Sequence, residues 1–258
     1  MRLLLNLSLI FLTIPCFLHA QGNYQPGVIV NLKGDTVRGY IQYTEWDNNP
    51  DKIFFKTSTA GTAVALTPDS IRFFSAAVGH LAKFVAYAGP VSTDITDITR
   101  LAIGRDSSYR MDKIFLKVLQ EGKNLLLFSY ADNLKTRFFV AGNYAEKPAE
   151  LVYRIYYNSI EENGWDRTSY ENIFKSQLYN QAVKAGVMNP ALKKQIQATD
   201  YKEAALQNTA GLINSISAAD QSKNNPRKPS GFLKAIAIAG GIAVIIWFVH
   251  DLAVHNSR

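Results

Sequence analysis

Residues 27–56 read GVIVNLKGDTVRGYIQYTEWDNNPDKIFFK. Two runs rich in β-branched and aromatic residues, Val28-Ile29-Val30 and Thr36 to Tyr43, flank Lys33-Gly34-Asp35. Such runs on either side of a Gly-Asp turn predict a β-hairpin. Trp46-Asp47-Asn48-Asn49-Pro50 carries turn-forming residues and predicts a loop. Ile53 to Lys56 (IFFK) then reads as a third strand.

The same punctuation continues downstream. Ala63 to Leu66 and Ile71 to Phe74, separated by Pro68-Asp69, and residues 81–87 (LAKFVAY) predict further short strands. The stretch from Gly89 to Tyr109 is polar and aperiodic and reads as a long loop. Ile114 to Leu119, Leu125 to Tyr130 and Arg137 to Val140 follow at the spacing of an antiparallel meander. Leu151, Tyr153, Ile155 and Tyr157 then alternate with Val152, Arg154 and Tyr156, which makes one face strongly apolar. Residues 21–160 are therefore expected to form a β-rich domain.

Beyond residue 165 the period changes to that of helices. Thr168-Ser169-Tyr170-Glu171 has the pattern of a capping box. Tyr170, Phe174, Leu178 and Ala182 fall four apart, as in an amphipathic helix, and Gly186 is a suitable stop. Asn189-Pro190 opens a second helix that is expected to run to about Ala218. Its stripe of Leu192, Ile196, Leu206, Ile213 and Ile216 is interrupted at Thr199 and Glu203, too weak a pattern for a coiled coil. Residues 165–219 thus read as a helical region and residues 220–230 (DQSKNNPRKPS) as a linker.

Both ends are hydrophobic. Arg2, the apolar stretch from Leu3 to Leu18 and the His19-Ala20 junction describe a signal peptide over residues 1–20, cleaved after Ala20. Pro15 before Cys16 excludes a lipoprotein signal of the usual kind. Phe232 to Val249 (FLKAIAIAGGIAVIIWFV) has only Lys234 charged, with Trp247 and Phe248 near one end. Residues 231–250 therefore predict a single transmembrane helix, and residues 251–258 a short tail. Ala235, Ala239 and Ala243, with Gly240 and Gly241, would let two such helices approach closely in lipid. Lys223, Arg227, Lys228 and Lys234 would contact lipid headgroups.

The fold class expected on this reading is α+β: an antiparallel β-rich N-terminal region, a short helical region and a single C-terminal transmembrane helix. The signal peptide places residues 21–230 in the periplasm. The basic flank ahead of residue 231 argues the other way, for a two-anchor protein with residues 21–230 cytoplasmic.

Composition narrows the partners. The chain has 258 residues, 28 Lys+Arg, 21 Asp+Glu and one cysteine. Cys16 lies inside the signal, so neither a disulfide framework nor a Cys-based zinc site is available. Residues 21–171 hold 17 basic and 17 acidic side chains, whereas residues 172–230 hold eight basic and three acidic. The excess positive charge thus sits ahead of the hydrophobic segment rather than on a reading element, which argues against nucleic acid and for a membrane-lipid partner.

Catalytic signatures are few. There is no GxSxG elbow, no GxxxxGK[ST] loop and no HExxH. His80 is the lone histidine of the β-rich region. Asp94 with Asp97 and Glu161 with Glu162 are the paired carboxylates that an acid–base hydrolase would need. The 13 tyrosines suit cross-strand packing, and equally a sugar- or peptide-binding platform. No cofactor is implied.

The order Gly-Asp-Thr, Trp46, Asn49-Pro50 and Phe55-Lys56, followed by Leu66 to Phe74 (LTPDSIRFF), resembles a group of exported proteins common in Bacteroidota. FLKVLQEGKNLLLFSYADNLKTRFFV, from Phe115 to Val140, is similar to the second β block of that group. The resemblance covers residues 27–157 and implies a cell-envelope address. Members of that group often continue into an outer-membrane β-barrel, where this chain has helices and one hydrophobic segment. The resemblance carries over no site residues. The functional expectation is a membrane-anchored, non-enzymatic binding or scaffold module of the envelope. The alternatives are an envelope hydrolase using the acidic loop residues, and a subunit of an envelope complex or homo-oligomer assembled through the membrane helix.

Overall fold

A computed structural model describes residues 22–78, 80–158 and 168–217. The predicted hairpin forms from β1 (Tyr24–Asn31) and β2 (Thr36–Gln42). Gly34 takes φ 94° in its turn, and the Asn31 side chain accepts the amides of Lys33 and Asp35. The chain continues through β3 (Ile53–Lys56), β4 (Val64–Leu66), β5 (Ile71–Val78) and β6 (His80–Ser92). It then forms β7 (Tyr109–Gln120), β8 (Leu126–Ala131), β9 (Thr136–Ala141) and β10 (Ala149–Glu150). These ten strands make one antiparallel sheet in the order β10-β9-β8-β7-β6-β5-β1-β2-β3-β4. A separate ribbon pairs β11 (Arg154–Tyr157) with β12 (Thr168–Glu171).

The strand order requires curvature. β4 lies at one edge and β5 four places in, yet only Thr67 to Ser70 connect them. Four strand spacings in a flat sheet span about 19 Å. The connection is a tight turn in which Ser70 and Ile71 both donate to the Thr67 carbonyl, so it cannot bridge that distance. The β1–β4 half therefore curls back toward β5, and the sheet becomes a half-barrel.

The residues of the opening motif are accounted for by that curl. A Cβ at Gly39 would lie 2.2 Å from the Lys56 carbonyl and 2.5 Å from the Phe55 ring, so only glycine lets β3 cross here. Trp46 packs edge-on against Tyr43, Phe74 and Phe84, and Phe74 stacks on Phe84 at 4.6 Å. Ile41, Ile53, Phe55, Ile71 and Phe115 complete this core. Asn49 reaches across the half-barrel: its amide nitrogen donates to the Phe115 and Ser129 carbonyls at 2.8 and 3.0 Å, and its side-chain oxygen accepts the Ala131 amide at 3.1 Å. It thus bridges β7 and β8 beyond the last ladder pair of those strands, Lys117 opposite Ser129.

Among the described residues three helices follow: α1 (Ile173–Lys184), α2 (Pro190–Ala198) and α3 (Glu203–Ser215). Phe174, Leu178, Leu192, Ile196, Leu206 and Ile213 pack against Leu125, Leu127, Phe138 and Val140 of the sheet side. Each such apolar side chain stabilises the fold by about 1.5–3 kcal/mol on burial. The helical residues thus share one apolar cluster with the sheet.

Several expectations need correction. Among the described residues no helix is long and apolar enough to cross a membrane. The three have 12, 9 and 13 residues, against the roughly 20 a span requires. Over the described residues the expected α+β chain with its transmembrane helix is instead a half-barrel sheet covered by three short helices, none of which could span a membrane. The signal peptide (1–20), linker (220–230), hydrophobic segment (231–250) and tail (251–258) lie outside the described residues. So do Lys223, Arg227, Lys228, Lys234, Ala235, Ala239, Gly240, Gly241 and Ala243.

Thr168–Glu171 is strand β12 rather than a capping box, and α1 begins after Asn172 with no side-chain cap. Glu171 meets Arg105 and Arg154 instead of free helix amides. The expected second helix is two, because Thr199 to Lys202 break it. The break places the Tyr201 ring against Phe138, Tyr153 and Phe174. The predicted long loop is shorter, since β6 runs to Ser92 and pairs with β7 from Phe84 opposite Lys117 to Ser92 opposite Tyr109. That pairing joins the two expected β blocks into one sheet.

Candidate functional site

A cleft of about 640 Å³ opens where the end of β6 and the start of β7 meet residues 147–154. Its walls include Tyr87, Pro90, Tyr109, Met111, Val152 and Tyr153. Its polar members include Ser92, Asp94, Ser108, Lys147, Glu150 and Arg154. The volume lies within the usual range of about 300–1,000 Å³ for small-molecule sites, and a mostly apolar wall with a few polar groups is the usual lining.

Each polar group is positioned by the sheet. Asp94 follows β6 and is 3% exposed. Lys135, in the turn before β9, donates to Asp94 Oδ1 at 2.7 Å, and both side chains of this pair are buried. Burial lowers the Lys135 pKa from the ordinary lysine value, while Asp94 acts to raise it. Asp94 Oδ2 has no hydrogen-bond partner among the described residues. Glu150 on the edge strand β10 accepts the Ser92 amide at 2.9 Å and also the Ser92 hydroxyl.

A charged network lies around this pair. Arg137 is fully buried and donates to the Ser92 carbonyl at 2.7 Å, to Asp132 Oδ1 at 2.9 Å and to the Lys135 carbonyl at 3.0 Å. Its guanidinium lies over the Tyr130 ring. Asp132 also accepts from Arg110 at 3.1 Å. Burial opposes the Asp132 charge, yet Arg137 and the amides of Lys135 and Leu134 hold its pKa at about 2. Also in the cleft lining, Arg154 donates to Glu171 at 2.7 Å, and Arg105 donates to the same carboxylate at 2.8 Å. Arg154 Nε and Arg137 Nη2 are buried without partners among the described residues. Lys147 lies 5.5 Å from the centre of the Tyr87 ring.

The cleft lining therefore includes a buried unpaired acceptor on Asp94 and a buried unpaired donor on Arg154, beside the aromatic rings of Tyr109 and Tyr153. Unpaired buried groups of this kind are rare in folded chains and each costs roughly 1–3 kcal/mol. Among the described residues there is no cluster of His, Cys, Asp and Glu suited to a metal ion.

The sequence singled out Asp94 but gave it another partner. Asp97 does not line the cleft. It accepts from the amide and hydroxyl of Thr99 and from Arg100, contacts that hold its pKa at about 2. Glu161 and Glu162 lie outside the described residues. His80 opens β6. The carboxylate that does join Asp94 in the cleft is Glu150, which pattern reading passed over. One signal was available: Arg137 directly precedes the apolar run Phe138-Phe139-Val140, and a charge in a buried strand needs partners close by. Comparison with protein-family models, curated proteins and solved structures finds no match.

Proposed function

We propose that this chain is a non-enzymatic binding module of the cell envelope, and that its cleft receives a small polar ligand with an apolar face. The observation that carries the reading is the unpaired Asp94 oxygen in a cleft walled by Tyr87, Tyr109 and Tyr153. A bound ligand can supply a donor there. Against hydrolysis, Asp94 pairs with Lys135 and Glu150 accepts both donors of Ser92, so each acid has a structural partner in place. The envelope address rests on residues 1–20 and on the Bacteroidota resemblance.

The test uses the methionine methyl groups. Met111 stands at the cleft and is 70% exposed, whereas Met188 packs beneath the helices and serves as the control. Titration of methyl-labelled protein with a library of small polar fragments is expected to shift Met111 and leave Met188 in place. A library that moves neither signal removes the reading. Alkaline phosphatase fused after Ser217 tests the address separately; an inactive fusion would place the module in the cytoplasm.

A further inference from the structure

We infer that the ligand class is a neutral saccharide, an inference that rests on the cleft being a binding site. The charges around the cleft already cancel. Asp94 faces Lys135, Asp132 faces Arg137 and Arg110, and Glu171 faces Arg154 and Arg105. Glu150, held by Ser92, and Lys147, above Tyr87, are the remaining pair of opposite sign in the lining. An ionic ligand would lose its hydration and, among the charged lining residues, find only Lys147 without a hydrogen-bonded partner, which is costly.

The unpaired atoms also differ in sign. Of the lining residues, Asp94 has a buried unpaired acceptor, Oδ2, and Arg154 a buried unpaired donor, Nε. A ligand that satisfied both would have to donate and accept, and a hydroxyl group does both. A purely apolar ligand would leave these buried atoms unsatisfied. The walls supply the other half of the match. Tyr109 and Tyr153 present aromatic surface, and the C–H face of a pyranose ring is apolar and flat. A peptide adding a strand is disfavoured, because β10, the edge strand at the cleft, has only two residues.

Tyr109 gives the cleanest variant, since it is 64% exposed and its removal leaves the core intact. The experiment is saturation-transfer NMR and calorimetry with cellobiose, maltose and chitobiose, set against glucosamine and glucuronate. A neutral disaccharide is expected to bind. Tyr109→Ala is expected to weaken it about three- to tenfold, the range of one aromatic contact. Tighter binding of a charged sugar overturns the inference. If the neutral sugars are silent while other fragments still shift Met111, the saccharide class falls and the binding module stands. If sugars and fragments are both silent, both readings fall.

Discussion

The side-chain amide of Asn49 donates to the carbonyl of Phe115 at 2.8 Å, joining two residues 66 positions apart. The same side chain serves Ser129 and Ala131, and its backbone amide donates to the Ala131 carbonyl at 2.9 Å. One asparagine therefore ends the β7–β8 ladder and holds the curled half of the sheet to it. Asn49→Ala removes the side-chain bonds and leaves their backbone partners unpaired, at roughly 1–3 kcal/mol each where they are buried. We expect a loss of about 2–4 kcal/mol in urea unfolding. Asn49→Asp should be worse, because a carboxylate cannot donate to two carbonyls. An unchanged midpoint for either variant would show that the loop is not what holds the half-barrel closed.

Asp132 links stability to acid. Its pKa in the folded chain is about 2, below the unfolded carboxyl value, because Arg137 and two backbone amides stabilise the ionised form against burial. A depressed carboxyl pKa contributes stability that is fully present above about pH 4 and is lost as pH falls toward 2. The contribution is about 2 kcal/mol, since the side chain is only 17% exposed. Unfolding free energy measured from pH 6 to pH 2 should therefore fall. Asp132→Asn should be less stable at pH 6 and show a shallower decline. A parallel decline in the two proteins would assign the acid sensitivity to other groups.

Tyr201 sits where the expected long helix breaks, and its hydroxyl is fully used. It donates to the Leu151 carbonyl at 2.9 Å and accepts the Phe138 amide at 3.2 Å. Burial raises the phenol pKa well above its usual value, so the group stays protonated. Tyr201→Phe keeps the ring stack on Tyr153, 4.7 Å away, and removes only the hydroxyl. The expected loss is about 1–3 kcal/mol by calorimetry, with far-ultraviolet dichroism unchanged. A Phe variant as stable as the parent would mean that ring packing alone fixes the break.

Local signals were legible in the sequence and distant ones were not. The β1–β2 hairpin is set by Asn31, Gly34 and Asp35, all within five residues, and was readable at once. The Asn189 cap, which accepts the Leu192 amide at 2.8 Å, and the positive φ of Gly186 were readable for the same reason. The insertion of β1 between β2 and β5 was hidden, because its reason is the fit of Gly39 under Phe55 and of Trp46 against Phe74 and Phe84. Thr168–Glu171 misled because a hydroxyl followed three residues later by a glutamate suits a helix start, while the arginines that claim Glu171 lie 17 and 66 residues away. The cleft was half legible. Asp94 stood out as an acid, but Lys135 and Glu150 reach it through strand order, which pattern does not encode.

The end of the described chain is fixed by two asparagines. Asn214 on α3 accepts the amides of Asn124 and Leu125 at 3.1 and 2.9 Å and donates to the Leu125 carbonyl at 2.9 Å. Asn124 returns the contact, donating to the carbonyls of Ile213 and Ile216 at 2.7 and 2.8 Å. Those two carbonyls belong to the last turn of α3 and its C-cap, where a helix has no acceptor partners of its own. The clamp therefore terminates α3 and docks it on the β7–β8 turn in one step. Asn214→Ala should cost about 2–4 kcal/mol, because both backbone groups of buried Leu125 lose partners. The loss should be local as well as global. Amide exchange is expected to quicken at Leu125 and along α3 while β1 and β5 keep their protection. Uniform acceleration across the sheet would show that α3 is not a separately docked element.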